Sequence, residues 1–141
     1  MGKHLLEASE LTGRILGAAV EVHKTLGPGY VESVYANALS VALTEREVSF
    51  VQEHEIALEF HGHPVGSHRL DFLVDQSIVL ELKSVEKLAP IHVSQVRAYL
   101  ISAKKRVGLL LNFNEPVLSI KRVIHTPTTT SSAVFRITVL P

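Results

Sequence analysis

Asp71, Glu81 and Lys83 carry the strongest chemical signal in the sequence. Leu70, Phe72 and Val74 alternate with Arg69, Asp71, Leu73 and Asp75, and Ile78, Leu80 and Leu82 alternate with Val79, Glu81 and Lys83. Residues two apart on a strand share a face. If these two strands form a hairpin around Asp75-Gln76-Ser77, Asp71 and Glu81 project to the same side of the sheet. Two carboxylates at neighbouring mid-strand positions repel unless a cation lies between them. Mg²⁺ suits that place, because it takes oxygen ligands from one or two carboxylates and keeps several waters. Lys83, on the face of Glu81, can hold or activate such a water or stabilise charge developing on a phosphate. A solvated strand face with an incidental Glu–Lys pair gives the same pattern, so the trio alone does not define a site.

Other residues could support that chemistry. Glu32 falls in the first turn of a helix, where the helix dipole favours a carboxylate. Tyr35, three residues on, can bond to Glu32 or simply pack in the core. Gln95 and Tyr99 lie one helical turn apart and can face one site together; a half-buried helix face has the same spacing. His92, near the start of that helix, can contact phosphate or merely open the helix. His61 and His63, with His68 nearby, look superficially like a metal site. However, His61 and His63 straddle Gly62 and precede Pro64, the composition of an exposed hairpin tip, which argues against zinc there. No His-Glu-x-x-His, Gly-x-Ser-x-Gly or Walker-type loop occurs. Leu26-Gly27-Pro28-Gly29 is a turn, since Pro28 removes an N–H donor that a phosphate cradle would use.

The elements that must position these residues follow from periodicity. The spacing of Leu11, Ile15, Ala18, Ala19 and Val22 predicts a helix over about 10–24, capped by Ser9. The glycines around Pro28 break it, and a second helix is predicted from about Tyr30 to Arg46. The period then changes to two. Strands are predicted at 56–60, 70–74 and 78–83, the first ending at the His61–Pro64 turn. Pro90 opens a helix running to about Lys105. Val107–Phe113 is a short, nearly all-apolar strand of the kind covered on both faces, and a last strand spans about 118–124. The order α-α-β-β-β-α-β-β predicts an α/β (α+β) domain with a mixed central β-sheet flanked by helices. A single domain is expected over 1–125. Residues 126–141 read as a flexible Thr/Ser-rich linker and an apolar, β-prone tail, whose 133–140 segment could pair two chains as a homodimer.

These spaced motifs together resemble the PD-(D/E)XK nuclease superfamily. The set comprises Asp71, then Glu81-Leu82-Lys83 after nine residues, a preceding helix with Glu32, and a following helix with Gln95-x-x-x-Tyr99, as in RecB-like members. Gly29-Tyr30-Val31-Glu32-Ser33-Val34-Tyr35 resembles, more narrowly, the signature of the small GxxExxY family. The Leu26–Gly29 entry, Val79–Val85, Pro90-Ile91-His92, Gly108–Phe113 and Ile120-Lys121-Arg122 fit it too, and the resemblance spans about 11–124. It implies a restriction-endonuclease-like core and Mg²⁺-dependent phosphodiester hydrolysis, with Mn²⁺ able to substitute. By the same resemblance Asp71, Glu81 and the Leu82 backbone carbonyl ligate the metal, and Lys83 positions the attacking water. Glu32 completes the acidic cluster directly or through water, while Gln95 and Tyr99 orient the metal shell or a phosphate. Leu70 stands where the superfamily name has proline.

Composition bounds the rest. Of 141 residues, 46% are hydrophobic and 20% charged, enough for one buried core. The absence of Cys excludes disulfides, thiolate zinc sites and a Cys nucleophile. No apolar run reaches the roughly 18 residues of a membrane span, and the first ten residues lack a signal-peptide core. A cytoplasmic location without membrane attachment is therefore expected. Fourteen Lys+Arg balance fourteen Asp+Glu, which rules out a protein that coats DNA by bulk charge. The balance is uneven along the chain: residues 1–80 hold five basic and eleven acidic residues (net −6), and residues 81–125 hold eight and three (net +5). Lys87, Arg97, Lys121 and Arg122 in the basic part are candidates for holding nucleic acid, DNA rather than RNA. The competing expectation is a catalytically weak or inactive nuclease-fold module that binds nucleic acid or a protein partner.

Overall fold

Two helices, three strands, a crossover helix and two further strands follow one another in the computed structural model of the protein, which describes residues 2–126. They are α1 (Gly2–Leu26), α2 (Glu32–Glu45), β1 (Phe50–Phe60), β2 (His63–Val74), β3 (Ile78–Lys83), α3 (Pro90–Ala103), β4 (Val107–Asn112) and β5 (Ser119–Ile124). The strands form one sheet in the order β1-β2-β3-β4-β5. Neighbours are antiparallel except β3 and β4, which are parallel and joined through α3. Both the mixed sheet and the order of elements are as the sequence predicts. Among the described residues no helix is long and apolar enough to cross a membrane. The 133–140 segment, expected as a dimer contact, lies outside the described residues.

Several boundaries differ from expectation. α1 starts at Gly2, so Ser9 lies inside the helix rather than capping it; Leu5, Leu6, Glu7 and Ala8 are all strong helix formers. α2 starts at Glu32, because Gly29 (φ 111°) and the extended Val31 still belong to the entry turn. β1 begins at Phe50, six residues before Ile56, and pairs with β2 along nearly its whole length. His61 and Gly62 alone form the hairpin tip, both with positive φ (50° and 78°), as a two-residue type I′ turn requires. Pro64 is therefore a strand residue. It is tolerated because β3 pairs with β2 only at Phe72–Val74, leaving no partner there for the missing N–H.

Two apolar clusters sandwich the sheet. Ile15, Ala18 and Val22 of α1 and Tyr35, Leu39 and Leu43 of α2 pack on Phe72, Leu80, Leu82 and Leu109. On the other side Val96 and Leu100 of α3 pack on Leu73, Val79, Leu110 and Val123. A Cβ on Gly108 would lie 2.8 Å from Val96 Cγ1, so glycine sets how closely α3 approaches β4.

Simple alternation fails at one place. Leu70 and Phe72, assigned to one face by the period of two, pack in opposite clusters. In β1, Phe50 likewise packs on the α1/α2 side, whereas Ile56 lies on the α3 side. The change of face falls at Glu53, whose φ is +51°, opposite the stretch of β2 that holds Asp71.

Candidate active site

β2 and β3 pair as far as Phe72–Leu80 and then part. Beyond that point side chains replace the backbone ladder. The Asp71 amide donates to Glu81 Oε2 (2.9 Å), and the Leu82 amide donates to Asp71 Oδ2 (2.7 Å). The two carboxylates are thereby fixed in the gap where the strands diverge. Glu81 is 4% exposed, and burial, followed by the charge of Asp71, pushes its carboxyl up to about 8, against the opposing pull of the Asp71 amide and Lys83. Asp71 is also raised, chiefly by burial, with Glu32 and Glu53 adding to the shift and the Leu82 amide and Lys83 opposing it. A buried acid beside a half-buried one, with raised pKa values, is the electrostatic situation a cation relieves.

His68 belongs to this site. Its Nε2 is 3.2 Å from Glu81 Oε1, and its ring lies flat on Tyr99 with centroids 3.7 Å apart and an interplanar angle of 8°. Partial burial and then the charge of Lys83 lower its pKa, so the imidazole stays neutral near pH 7. Tyr99 of α3 is half-buried, and its phenol is raised by burial and then by the charges of Glu81 and Asp71. Sequence reasoning missed His68 because strict alternation puts positions 68 and 71 on opposite faces. The change of face between Leu70 and Phe72 brings His68, paired with Ile56, round to the α3 side.

The remaining expected residues are placed unevenly. Lys83 is half-buried at the end of β3, where its charge reaches His68, Asp71 and Glu81. Glu32 is exposed at the first residue of α2 and acts on Asp71 and Glu81 through its charge, with no hydrogen bond to either. Tyr35 does not bond to Glu32. It is fully buried, stacks on Phe113 at 4.7 Å, donates from Oη to the Gly27 carbonyl (2.6 Å) and accepts from the Tyr30 amide. His92 accepts the Ala89 amide on Nδ1 at 2.9 Å, which caps α3. Gln95 is half-buried and makes no side-chain hydrogen bond among the described residues. Lys87, Arg97, Lys121 and Arg122 are exposed. They do not form one patch, because Lys121 and Arg122 are adjacent on β5 and project to opposite faces. Lys121 is the one aligned with the site, since Glu81, Leu110 and Lys121 are register partners across three strands, about 10 Å end to end.

A second residue absent from the sequence reading is Asn112, fully buried at the end of β4. It accepts the Val85 amide, donates to the Val85 carbonyl and donates to Glu115 Oε2 (3.0, 2.9 and 2.8 Å). This clamps the chain two residues after Lys83, and the Phe113 amide bonds to the Lys83 carbonyl at 2.9 Å.

Among the described residues no three His, Cys, Asp or Glu side chains gather as a metal cluster. The acidic cluster implied by resemblance is thus a close pair with Glu32 as a remote charge. That donor set still fits a hard, oxygen-seeking divalent cation, which needs only one or two carboxylates and completes its shell with carbonyls and water. The Leu82 backbone, already bonded to Asp71, lies beside both.

A family model of the PD-(D/E)XK nuclease superfamily matches residues 9–123. No curated protein sequence matches the chain. Among solved structures, the chain is similar to one described as the crystal structure of SSO0001, with 19% identity and a TM-score of 0.55 over 75% of this chain and 55% of that one. It also matches an alkaline exonuclease (LHK-Exo) from Laribacter hongkongensis, with 11% identity and a TM-score of 0.49 over 75% of this chain and 60% of that one. The chain thus spans little more than half the length of either. The match to the family model runs from within α1 to the penultimate residue of β5, and by that match the chain belongs to the PD-(D/E)XK nuclease superfamily.

Proposed function

We propose that the protein hydrolyses phosphodiester bonds in nucleic acid, DNA in preference to RNA, as a divalent-metal-dependent nuclease of the GxxExxY kind. The observation that carries this is the reciprocal lock between Asp71 and Glu81, which holds two desolvated carboxylates together at the point where β2 and β3 part. Asp71, Glu81 and the Leu82 carbonyl would hold Mg²⁺, or Mn²⁺ in its place. When bound, the ion supplies a Lewis acid for the phosphate and lowers the pKa of a coordinated water.

The chain's own residues supply the rest. Lys83, at the end of the strand that carries Glu81, orients the attacking water and offsets charge developing on the pentacoordinate phosphorus of the transition state. Glu32 adds negative potential that favours a cation. His68 braces Glu81 and is itself stacked on Tyr99. Gln95, one turn from Tyr99, would orient the metal's water shell or a phosphate. Lys121, Arg97 and Lys87 give a neutral protein local purchase on a polyanion, with a modest dependence on salt.

The test is cleavage of DNA and RNA by the purified chain with Mg²⁺ or Mn²⁺. Asp71→Ala and Lys83→Ala are each expected to abolish it. Equal activity in both variants and the unmodified protein contradicts the mechanism.

A further inference from the structure

An open cleft of about 520 Å³ is lined by Gly29, Tyr30, Val31, Glu32, Ser84 and Asn114. A second cleft, of about 390 Å³, holds Asp71 and Leu82, and Glu32 borders both. Glu32 thus links the two clefts, and Ser84, in the first, directly follows Lys83. The wall of the first cleft is aromatic and exposed: Tyr30 is 48% exposed and Val31 67%.

Tyr30 is unusually well braced for an exposed residue. Its amide donates to Tyr35 Oη at 3.2 Å, and its carbonyl accepts from Ser84 Oγ. Its ring meets that of Tyr35 edge to face, with centroids 6.0 Å apart at 76°. Tyr35 is itself immobilised by Gly27 and Phe113, and the neighbouring Gly29 amide is bonded to Asn114 Oδ1 at 2.9 Å. Hydrogen bonds to its backbone and contact with the Tyr35 ring thus hold a large, exposed ring at the wall of the cleft. Fixing it in advance removes much of the ordering cost that a ligand would otherwise meet.

The charge around these clefts narrows what the ring can bind. Glu32, Glu53 and Asp71 make them poor at attracting a phosphate chain by charge alone. Stacking on a π-face engages the base rather than the phosphate, and does so without reading its sequence. Such stacking requires a base whose face is free. In a duplex, both faces are already stacked on neighbours, and unstacking costs a few kcal/mol per step.

We infer that Tyr30 is a base-stacking residue that seats an unpaired nucleotide next to the scissile phosphate, so that the substrate class is single-stranded or frayed nucleic acid rather than intact duplex. The substrate assignment rests on the nuclease reading, whereas the stacking itself does not require cleavage.

The experiment measures binding of a short, fluorescein-labelled, mixed-sequence single-stranded DNA, and of its duplex, to the full chain carrying Asp71→Asn. That background removes cleavage and lowers the negative charge around the clefts. Tighter binding of the single strand is expected. Adding Tyr30→Ala or Tyr30→Leu should weaken the single strand about tenfold, with little change for the duplex, while Tyr30→Phe and Tyr30→Trp stay within about twofold of Tyr30. The inference is overturned if the single strand does not bind, if Tyr30→Ala leaves its binding unchanged, or if single strand and duplex weaken equally. Cleavage by the chain with Asp71 intact is scored separately. Cleavage that depends on Asp71, with single-strand binding indifferent to Tyr30, leaves the nuclease standing and removes the stacking role. Binding that depends on Tyr30, without any cleavage, does the reverse.

Discussion

The Asp71 amide donates to the Glu81 carboxylate, and the Asp71 carboxylate accepts from the amide that follows Glu81. Each acid therefore stands in for a missing rung of the β2–β3 ladder. This relationship explains how a buried and a half-buried acidic side chain can sit at adjacent sites. Each oxygen given to an amide recovers part of the desolvation cost, and the strands are kept apart by the same bonds that join them. The remaining oxygen of Asp71 makes no hydrogen bond among the described residues, and the remaining oxygen of Glu81 meets His68.

The raised pKa of Glu81 has a consequence for stability. Its ordinary value is 4.5, and in the fold it is about 8. Between those values the unfolded chain gives up a proton that the folded chain keeps, so the folded state loses stability as pH rises through this window. Below 4.5 both states are protonated and nothing is lost. Asp71, also raised, acts in the same direction. Thermal melts in EDTA should show the unmodified protein losing more stability than Glu81→Gln between about pH 5 and pH 8.5. Identical pH slopes would contradict the assignment.

Removing His68 should loosen Glu81 without removing a carboxylate. A group that orients a metal ligand is typically worth about 10- to 100-fold in metal affinity. His68→Ala is expected to weaken Mn²⁺ binding by about tenfold in a calorimetric titration, and Tyr99→Phe, which keeps the ring under His68, by much less. Equal losses in the two variants would mean that the Tyr99 hydroxyl matters as much as the His68–Glu81 contact.

Asn112 is a test of the scaffold behind Lys83. Asn112→Ala leaves the part-buried Val85 amide and carbonyl without their partner, where a fully buried unmet group would cost about 1–3 kcal/mol. A lowered melting temperature is expected, together with reduced cleavage at temperatures where the variant is still folded. A variant as stable as the unmodified protein would show that the clamp is dispensable.

Gly108→Ala probes the seat of α3, which carries Gln95 and Tyr99. Its Cβ would press on Val96 and Leu100, at 2.8 and 3.4 Å, and overpacking of this kind costs about 1–3 kcal/mol. Chemical denaturation should show that loss, and Gly108→Ala combined with Val96→Ala should recover part of it.

Much of this was legible in the sequence because the signals were periodic. The helical spacing of Leu11 to Val22, the two-residue period of Ile78 to Lys83 and the punctuation at Gly27–Gly29 and Pro90 suffice for the element order. The proximity of Asp71 and Glu81 also follows from alternation and a tight turn. His68 was hidden because β2 changes face near Asp71, and a single backbone irregularity, marked by the positive φ of Glu53, has no sequence signature of its own. Asn112 was hidden for another reason. In an apolar strand its role depends on Val85 and Glu115, contacts that arise only once the β3–α3 and β4–β5 connections are folded together. Conversely, Lys121 and Arg122 read as one basic pair although the pleat separates them.

The most direct measurement is an anomalous difference map from a crystal of the protein soaked in Mn²⁺. The expected result is a peak bounded by the Asp71 and Glu81 carboxylates and the Leu82 carbonyl, absent from a crystal of Asp71→Asn treated in the same way. A map with no peak there, or a peak that persists in Asp71→Asn, would contradict the claim that this pair is the protein's metal-binding site.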